Sequence, residues 1–326
     1  MPTIKDVAKK ANVSVATVSR VINNTGYVNI ETRKLVENAI KELNYVPNEL
    51  ARNLFRKTSG IIGLIVPHIS TYFFAELIEA IEDAATKKGY KLMIFNSKND
   101  VKLEKKYLQV FSQYNIDGLI LVSNTKSPDD YKKLSIPMIT IDHIIDDTIP
   151  SITSNNYQGG KLAAELLIKN NPQKIIHFRG PMDLITVRER NQGFDDVLRL
   201  HQIHCFSKDL DFKNPSTYEI KDFIEMHRDV KAIFCSSDII AFYVMNVLRE
   251  LNYKIPQDVS IIGYDNIELS GVIYPKLTTI AQPINQIGSE SINVLLTLIK
   301  KKQLKTKHII LPVKLIERET TKKHNA

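Results

Sequence analysis

The sequence has few of the features that mark secreted, disulfide-rich or membrane proteins. Its 326 residues include two cysteines and no tryptophan, and no apolar run approaches the roughly 20 residues of a membrane span. The spacing of Cys205 and Cys235 fits neither a disulfide framework nor a zinc site, so we interpret both as buried thiols. The N-terminus has no apolar signal core. We therefore expect a cytoplasmic protein without a membrane segment.

Recognisable catalytic and cofactor motifs are also missing. The chain contains no G-x-S-x-G, P-loop, G-x-G-x-x-G or H-E-x-x-H pattern. His201 and His204 have a spacing that can face a metal, but no third ligand lies near them in sequence, and we interpret them as surface residues. The sequence thus predicts no enzyme, no cofactor and no metal site.

Positive charge is concentrated at the N-terminal end. The net charge is +8, and residues 1–58 carry ten lysines and arginines against five acidic residues, whereas the rest of the chain carries 34 against 31. A basic head on a nearly neutral body indicates binding to a polyanion such as nucleic acid. At about 150 residues per domain, the length suggests roughly two folded units.

The periodicity of the first 46 residues predicts three short helices. The first has an apolar stripe formed by Ile4, Val7, Ala8 and Ala11. A turn at Asn12-Val13-Ser14 precedes a second helix, about 15–23, which Ser14 caps and which buries Val18, Val21 and Ile22. Asn29 caps a third helix, about 30–43, whose stripe consists of Leu35, Val36, Ala39, Ile40 and Leu43.

The first two helices and their three-residue turn form a helix-turn-helix, in which the second helix enters the DNA major groove. Arg20 can pair with a guanine edge, and Val15 and Ala16 can contact thymine methyl groups. The short donors suited to phosphate contacts are Ser14, Thr17, Ser19 and Asn23. The alternative is a three-helix packing module that does not bind DNA.

The stretch T-I-K-D-V-A-K-K-A-N-V-S-V-A-T-V-S-R-V-I-N resembles the head of the lactose/galactose-repressor (LacI/GalR) family of bacterial regulators. The resemblance continues through Y-V-P-N-E-L-A-R-N-L and covers essentially the whole chain, although Asn12 stands where most members have glycine. It implies a dimer that binds palindromic operator DNA. The candidate DNA contacts also include Tyr27, Thr32 and Tyr45.

The resemblance further implies a hinge helix over residues 47–58, between a head of residues 1–46 and a body of residues 59–326. Leu54 stands at the position of a leucine that wedges into a minor-groove step, with Ala51 beside it and Asn48 as a further DNA contact. An apolar wedge unstacks a base step and kinks the duplex. The alternative is an ordinary linker helix with a buried leucine.

From Ile61 onward, apolar strand-like runs alternate with amphipathic segments, which predicts an α/β body with parallel sheets. The number of units favours two lobes, as in the periplasmic sugar-binding proteins that the bodies of this family are similar to. We expect a first lobe of about 59–155 plus 284–308 and a second of about 156–283 plus 309–326.

Ligands of such folds bind where the carboxyl ends of strands converge. We expect Phe73 and Phe74 to face a sugar ring. A guanidinium or a carboxylate can each form two hydrogen bonds with neighbouring hydroxyl groups of that ring. The candidate effector-binding residues are Phe73, Phe74, Asp142, His143, Arg190, Ser237, Asp265 and Gln282. The resemblance supports five of them: Phe74, Asp142, Arg190, Asp265 and Gln282. Ser237 and His143 depart from the Asn and Arg common in sugar-binding members, and Asp238 is interpreted as a helix N-cap.

Within the family, G-Y-V-N-I-E-T-R, F-R-G-P-M-D-L and the tail from Lys301 resemble ribose-operon repressors of Gram-positive bacteria. The resemblance favours ribose or a phosphorylated pentose as the effector, with Arg179, His143 and Arg190 as candidate phosphate ligands. A sucrose-type repressor and a global carbon regulator are the alternatives. A sugar receptor that does not bind DNA and a cytosolic sugar enzyme are remote ones.

Overall fold

The computed structural model describes residues 2–46, 58–122, 131 and 134–322. The chain divides into two compact units, Met1–Ser59 and Gly60–Ala326, and each is described by itself. The expected hinge segment, with Asn48, Ala51 and Leu54, lies outside the described residues. Over the described ranges, no helix is long and apolar enough to cross a membrane.

The N-terminal unit contains three helices where the sequence predicts them: α1 (Ile4–Lys10), α2 (Val15–Asn23) and α3 (Ile30–Glu42). Its core consists of Val7, Ala8, Ala11, Val18, Val21, Val36 and Ala39. Leu35 was expected in this core but is 55% exposed. The buried stripe of α3 is narrow because only two short helices cover it, and Leu35 lies one position away, on its rim.

The turns of this unit follow from asparagine and serine chemistry. Asn12 lies two residues after the end of α1 and Asn24 directly follows α2. Both adopt the left-handed conformation, with φ of 52°, and asparagine tolerates that conformation better than most residues. Ser14 accepts a hydrogen bond from the Thr17 amide at 3.1 Å, and Asn29 accepts one from the Thr32 amide at 2.7 Å. These caps fix where α2 and α3 begin.

The first lobe of the C-terminal unit is built on a parallel sheet with the order β11-β5-β4-β3-β1-β2. Its strands are β1 (Ile61–Val66), β2 (Lys91–Asn96), β3 (Gly118–Leu121), β4 (Met138–Ile141), β5 (Ser151–Ser154) and β11 (His308–Leu311). The helices packed on it include α4 (Tyr72–Lys87), α5 (Val101–Gln113) and α10 (Ile284–Ile299).

The second lobe repeats this plan with the order β12-β10-β9-β8-β6-β7, in which β12 alone is antiparallel. Its strands are β6 (Lys174–Arg179), β7 (His204–Asp209), β8 (Ala232–Cys235), β9 (Ser260–Asp265), β10 (Thr278–Ala281) and β12 (Lys314–Ile316). Its helices are α6 (Asn156–Ile168), α7 (Ile185–Leu200), α8 (Thr217–Met226) and α9 (Asp238–Glu250). The predicted α/β class with two lobes of parallel sheet is confirmed.

The chain passes between the lobes after β5, after β10 and between β11 and β12. The expected return to the second lobe at residue 309 falls inside β11, which pairs with β5 of the first sheet as far as Leu311. β11 and β12 are edge strands with partly exposed side chains, so their composition gives no clear sign of which sheet each joins.

Candidate functional site

A cleft with a volume of about 400 Å³ opens where the strand ends of the two lobes face each other. Seven of the eight predicted effector-binding residues line it: Phe73, Phe74, Asp142, Arg190, Ser237, Asp265 and Gln282. Phe73 and Phe74 begin α4 and meet edge to face, with ring centroids 5.2 Å apart. The aromatic wall thus comes from the first lobe, and most of the predicted polar groups come from the second.

The two aspartates stand directly at strand ends in unusual backbone conformations. Asp142 follows β4 with a φ of 64°, and Asp265 ends β9 with a φ of 113°. Few residues other than glycine adopt the second conformation, and such strain is concentrated at functional sites. Both side chains line the cleft. We interpret the strain at Asp265 as the cost of presenting a carboxylate there.

Arg190 is the centre of the second lobe's polar network and is only 5% exposed. Its Nε donates to Asn156 Oδ1 at 2.8 Å, and its Nη1 donates to the Ser236 carbonyl oxygen at 2.7 Å. The guanidinium carbon lies 3.8 Å from the ring centroid of Tyr264, and Nη1 is 3.9 Å from Asp265 Oδ1. The guanidinium is therefore held from several sides before any ligand binds.

The packing of α6 against α7 sets the position of Arg190. The turn at Arg179-Gly180-Pro181 predicts that Arg190 starts the next helix, but this prediction is wrong, because α7 begins at Ile185 and Arg190 lies in its second turn. A Cβ atom at Gly160 would lie 2.0 Å from the Arg190 carbonyl oxygen, and one at Gly193 would lie 1.9 Å from that of Tyr157. Two glycines thus allow the helix backbones to touch and bring Arg190 to the cleft.

Burial controls the ionisation of the two cleft aspartates. It raises the pKa of Asp142 and of Asp265, while the positive charge of Arg190 opposes the rise at both. Gln282 Nε2 also stabilises the charged form of Asp265, donating to Oδ1 at 2.8 Å. Since both carboxyl groups lose hydration, they gain by accepting hydrogen bonds from ligand hydroxyl groups.

The predicted N-cap role of Asp238 is wrong, because Ser237 occupies that position and accepts from the Ile240 amide at 3.2 Å. Asp238 is instead a buried brace: Oδ1 accepts from Thr279 Oγ1 at 2.6 Å and Oδ2 accepts from the Ile267 amide at 3.0 Å. It joins α9 to β10 and to the segment after β9. Asp238 therefore supports the cleft without lining it.

His143 and Arg179 do not join Arg190 in a phosphate site. His143 is not among the cleft residues; its Nδ1 lies 3.1 Å from the Ile141 carbonyl oxygen, and burial lowers its pKa. Arg179 forms an ion pair with Asp209, with 2.6 Å between Nε and Oδ1. His143 is thus bonded back to β4, the strand that it follows, and Arg179 is paired with the neighbouring strand β7.

The cleft also contains residues that the sequence analysis missed. They include Tyr72, Asn99, Asp183, Phe212 and Lys213. Asn99 comes shortly after β2, and Phe212 and Lys213 come shortly after β7. Strand-end position therefore indicates Asn99 as a cleft residue. It does not indicate Phe212 and Lys213, because His204, Ser207, Lys208 and Asp209 make β7 too polar to be recognised as a strand.

Among the residues that the structure describes, the cysteines and histidines form no further centre. Cys235 is buried, and Cys205, half-buried beside Ser207, has a pKa that burial raises to about 12. His201 and His204 are exposed. Across the part of the chain that the structure describes, no group of three potential metal ligands occurs.

Within the described residues, most of the predicted DNA contacts lie on α2 or at its N-cap, and the others lie between α2 and α3, on α3 and just after it. Val15 is 41% exposed and Tyr27 is 90% exposed, and Ala16 and Arg20 are exposed as well. The half-buried members are Thr17, Ser19, Asn23, Thr32 and Tyr45. Two hydrogen bonds already engage Asn23, whose Nδ2 donates to the Ser19 carbonyl at 2.9 Å and to Ser19 Oγ at 3.2 Å. Arg20, Val15 and Ala16 are the more accessible candidates for base contacts.

Comparison with known proteins agrees with this geometry. Residues 3–48 match the lacI family of bacterial regulatory proteins, and residues 59–319 match the periplasmic binding proteins and sugar binding domain of the LacI family. The ribose operon repressor of Halalkalibacterium halodurans is 41% identical over 323 residues, which cover 99% of this chain and 98% of that protein.

Two solved structures extend the comparison to the fold. The lac repressor dimer bound to operator and an anti-inducer has a TM-score of 0.88 at 28% identity, covering 98% of this chain and 99% of that one. A LacI family regulator from Enterococcus faecium with bound ribose has a TM-score of 0.72 at 29% identity, covering 80% and 98%. A helix-turn-helix head, a two-lobed body and these full-length similarities lead to one conclusion: the chain belongs to the LacI family of bacterial transcriptional regulators.

Proposed function

We propose that the protein is a repressor of a carbohydrate operon. Two copies bind the half-sites of a palindromic operator through their heads, and a small sugar in the cleft lowers operator affinity. The observation that carries the proposal is that Asp142 of the first lobe and Arg190 and Asp265 of the second line one cleft. A ligand that touches both lobes binds their different arrangements with different affinity, and that difference is the source of regulation.

We propose that this sugar is unphosphorylated ribose. The charged residues that line the cleft are Asp142, Asp183, Arg190, Asp211, Lys213 and Asp265. Acidic groups thus outnumber basic ones, which disfavours a phosphate dianion and favours neutral hydroxyl groups that donate to carboxylates. The full-length similarity to a ribose operon repressor and the ribose-bound structural relative support the same choice.

On the DNA side, we propose that α2 reads base edges through Arg20, Val15 and Ala16. The segment 47–58 acts as the hinge, in which Leu54 is the minor-groove wedge. The head then comprises residues 1–46 and the body residues 59–326. We also propose that the protein binds DNA in the cytoplasm and has no enzymatic activity.

The experiment is a mobility-shift assay of the full-length protein on DNA from upstream of its own gene, with D-ribose, ribose 5-phosphate or sucrose added in turn. We expect retardation that D-ribose relieves and ribose 5-phosphate does not. Absence of retardation at low salt would overturn the repressor proposal. Relief by sucrose alone would reassign the effector, and tighter binding with ribose would reverse the direction of control.

A further inference from the structure

Asn156 is a fully buried amide at the first passage of the chain from one lobe to the other. It begins α6 of the second lobe, and β5 of the first lobe ends two residues earlier at Ser154. A buried amide needs hydrogen-bond partners at both its oxygen and its nitrogen. Its partners therefore show which parts of the two lobes it ties together.

The oxygen of this amide binds the second lobe, whereas its nitrogen binds the first lobe and also interacts with Glu189 of α7. Nδ2 donates to the Ser154 carbonyl oxygen at 3.0 Å and lies 3.5 Å from Thr153 Oγ1, both on β5. Oδ1 accepts from Arg190 Nε at 2.8 Å and lies 3.4 Å from the Tyr264 hydroxyl, both in the second lobe.

A further hydrogen bond extends this connection to the opposite wall of the cleft. Thr153 Oγ1 lies 3.3 Å from Asp142 Oδ1, and this contact helps to hold the charged form of Asp142 against the effect of burial on its pKa. The chain Asp142–Thr153–Asn156–Arg190 thus joins a carboxylate of the first lobe to a guanidinium of the second. Both of its end groups line the cleft.

We infer that Asn156 is a positioning residue that couples the sugar contacts of one lobe to those of the other. The inference rests on the proposed sugar-responsive function. A sugar that draws in Asp142 or Arg190 moves the other through this chain, because Asn156 cannot release either neighbour without leaving a buried polar group unpaired. Without this series of hydrogen bonds, each lobe can bind the sugar separately, and a bound sugar no longer fixes the arrangement of the two lobes.

Two substitutions break the link between the lobes. Asn156→Asp keeps the acceptor for Arg190 Nε but replaces the nitrogen that donates to Ser154. Thr153→Val removes the hydroxyl group without changing charge and with little change of shape. Asn155→Ala is the matched control, because Asn155 Oδ1 caps α6 at the Gln158 amide, 3.0 Å away, and takes no part in the chain.

The experiment measures the Kd of D-ribose for each full-length variant, with and without a saturating duplex that the mobility-shift assay has identified. The ratio of the two Kd values is the coupling between the sugar and DNA sites. We expect both link-breaking variants to bind ribose on the order of tenfold more weakly, with a ratio close to one and unchanged affinity for DNA in the absence of ribose. The control keeps the wild-type Kd and ratio.

Combining the two substitutions should weaken ribose binding no further than the stronger single variant does, because both interrupt one chain. Wild-type Kd values and ratios in both single variants would overturn the inference, as would equal losses in Asn155→Ala. If the wild-type protein binds ribose without any change in its affinity for DNA, the proposed function is overturned instead. The coupling role of Asn156 is then overturned as well, because it rests on that function.

Discussion

Gln282 Nε2 donates a 2.8 Å hydrogen bond to Asp265 Oδ1, so that a residue just beyond β10 fixes the carboxylate at the end of β9. The parallel register of the two strands places Ala281 opposite Asp265, one residue before Gln282. The same carboxylate oxygen is 3.9 Å from Arg190 Nη1. A ligand therefore meets an acceptor whose direction the sheet has already set, which reduces the ordering cost of binding.

Gln282→Leu tests this arrangement. The substitution removes a hydrogen bond to a charged group, which contributes about 1.5–3 kcal/mol, so we expect ribose affinity to fall by about tenfold to a hundredfold. Calorimetric titration of ribose measures the change. Gln286→Leu, the same replacement at an exposed position of α10, should leave the Kd unaltered. Equal Kd values for the two variants would contradict the role of Gln282.

The sequence predicted those parts of the site that depend on strand ends. Asp142, Asp265 and Gln282 were found because each lies at or just beyond a run of buried strand residues. Asn156 and Tyr264 were missed because their role arises only when α6 and α7 touch at Gly160 and β9 passes beside them. No local pattern encodes that approach, which depends on side-chain volumes from separate segments.

The same limit explains the errors at His143 and Arg179. Both follow the strand-end rule as well as Asp142 does, and the sequence gives no sign that their side chains turn away from the cleft. His143 is bonded back to its own strand and Arg179 is paired with Asp209 of the edge strand β7. A neighbour that binds a polar side chain locally holds it away from the site, and such a neighbour is visible only in three dimensions.

Asp238→Asn should stabilise the protein in a pH-dependent way. Burial, with the negative charge of Asp265, raises the pKa of Asp238 well above its usual value. The native state therefore keeps a proton that the unfolded chain loses near pH 3.8. The stability contributed by this proton is present below the unfolded pKa and lost as the pH rises through the folded pKa.

Because asparagine does not ionise, the substitution removes that loss. The gain in free energy of unfolding of Asp238→Asn over the wild type should therefore grow from pH 4 to pH 8 and reach the order of 1 kcal/mol. Urea unfolding of the ligand-free protein at both pH values measures it. Asp222→Asn, at an exposed position of α8, serves as the control and should show no such trend. A benefit equal at both pH values, or a net loss at pH 8, would show that the Asp238 charge is already well compensated.

Gly160→Ala should damage both stability and the site. The added methyl group would collide with the Arg190 carbonyl oxygen, and overpacking of this kind costs about 1–3 kcal/mol. Because relief of the collision displaces the backbone of Arg190, ribose affinity should fall as well. Gly271→Ala, where the nearest atom is 3.9 Å from the new Cβ, should change neither property. Denaturant unfolding and ribose titration measure the two effects. An unchanged Kd for ribose in Gly160→Ala would show that the packing of α6 against α7 does not control ribose binding.

Arg20→Ala tests the DNA-binding surface of α2. An exposed arginine on a recognition helix can pair bidentately with a guanine edge, a contact that contributes about 1–3 kcal/mol of base discrimination. We expect the variant to lose preference at one base pair of each half-site. Lys34→Ala removes the same charge from an exposed position of α3 that is not among the candidate base contacts. Any loss of affinity in this variant should be even across sequences, because phosphate contacts carry no sequence information. Competition among operators with single base-pair changes, at fixed salt, separates these outcomes. If Arg20→Ala retained the wild-type order of preference and lost only overall affinity, Arg20 would be a phosphate contact, and base recognition would fall to Val15 and Ala16.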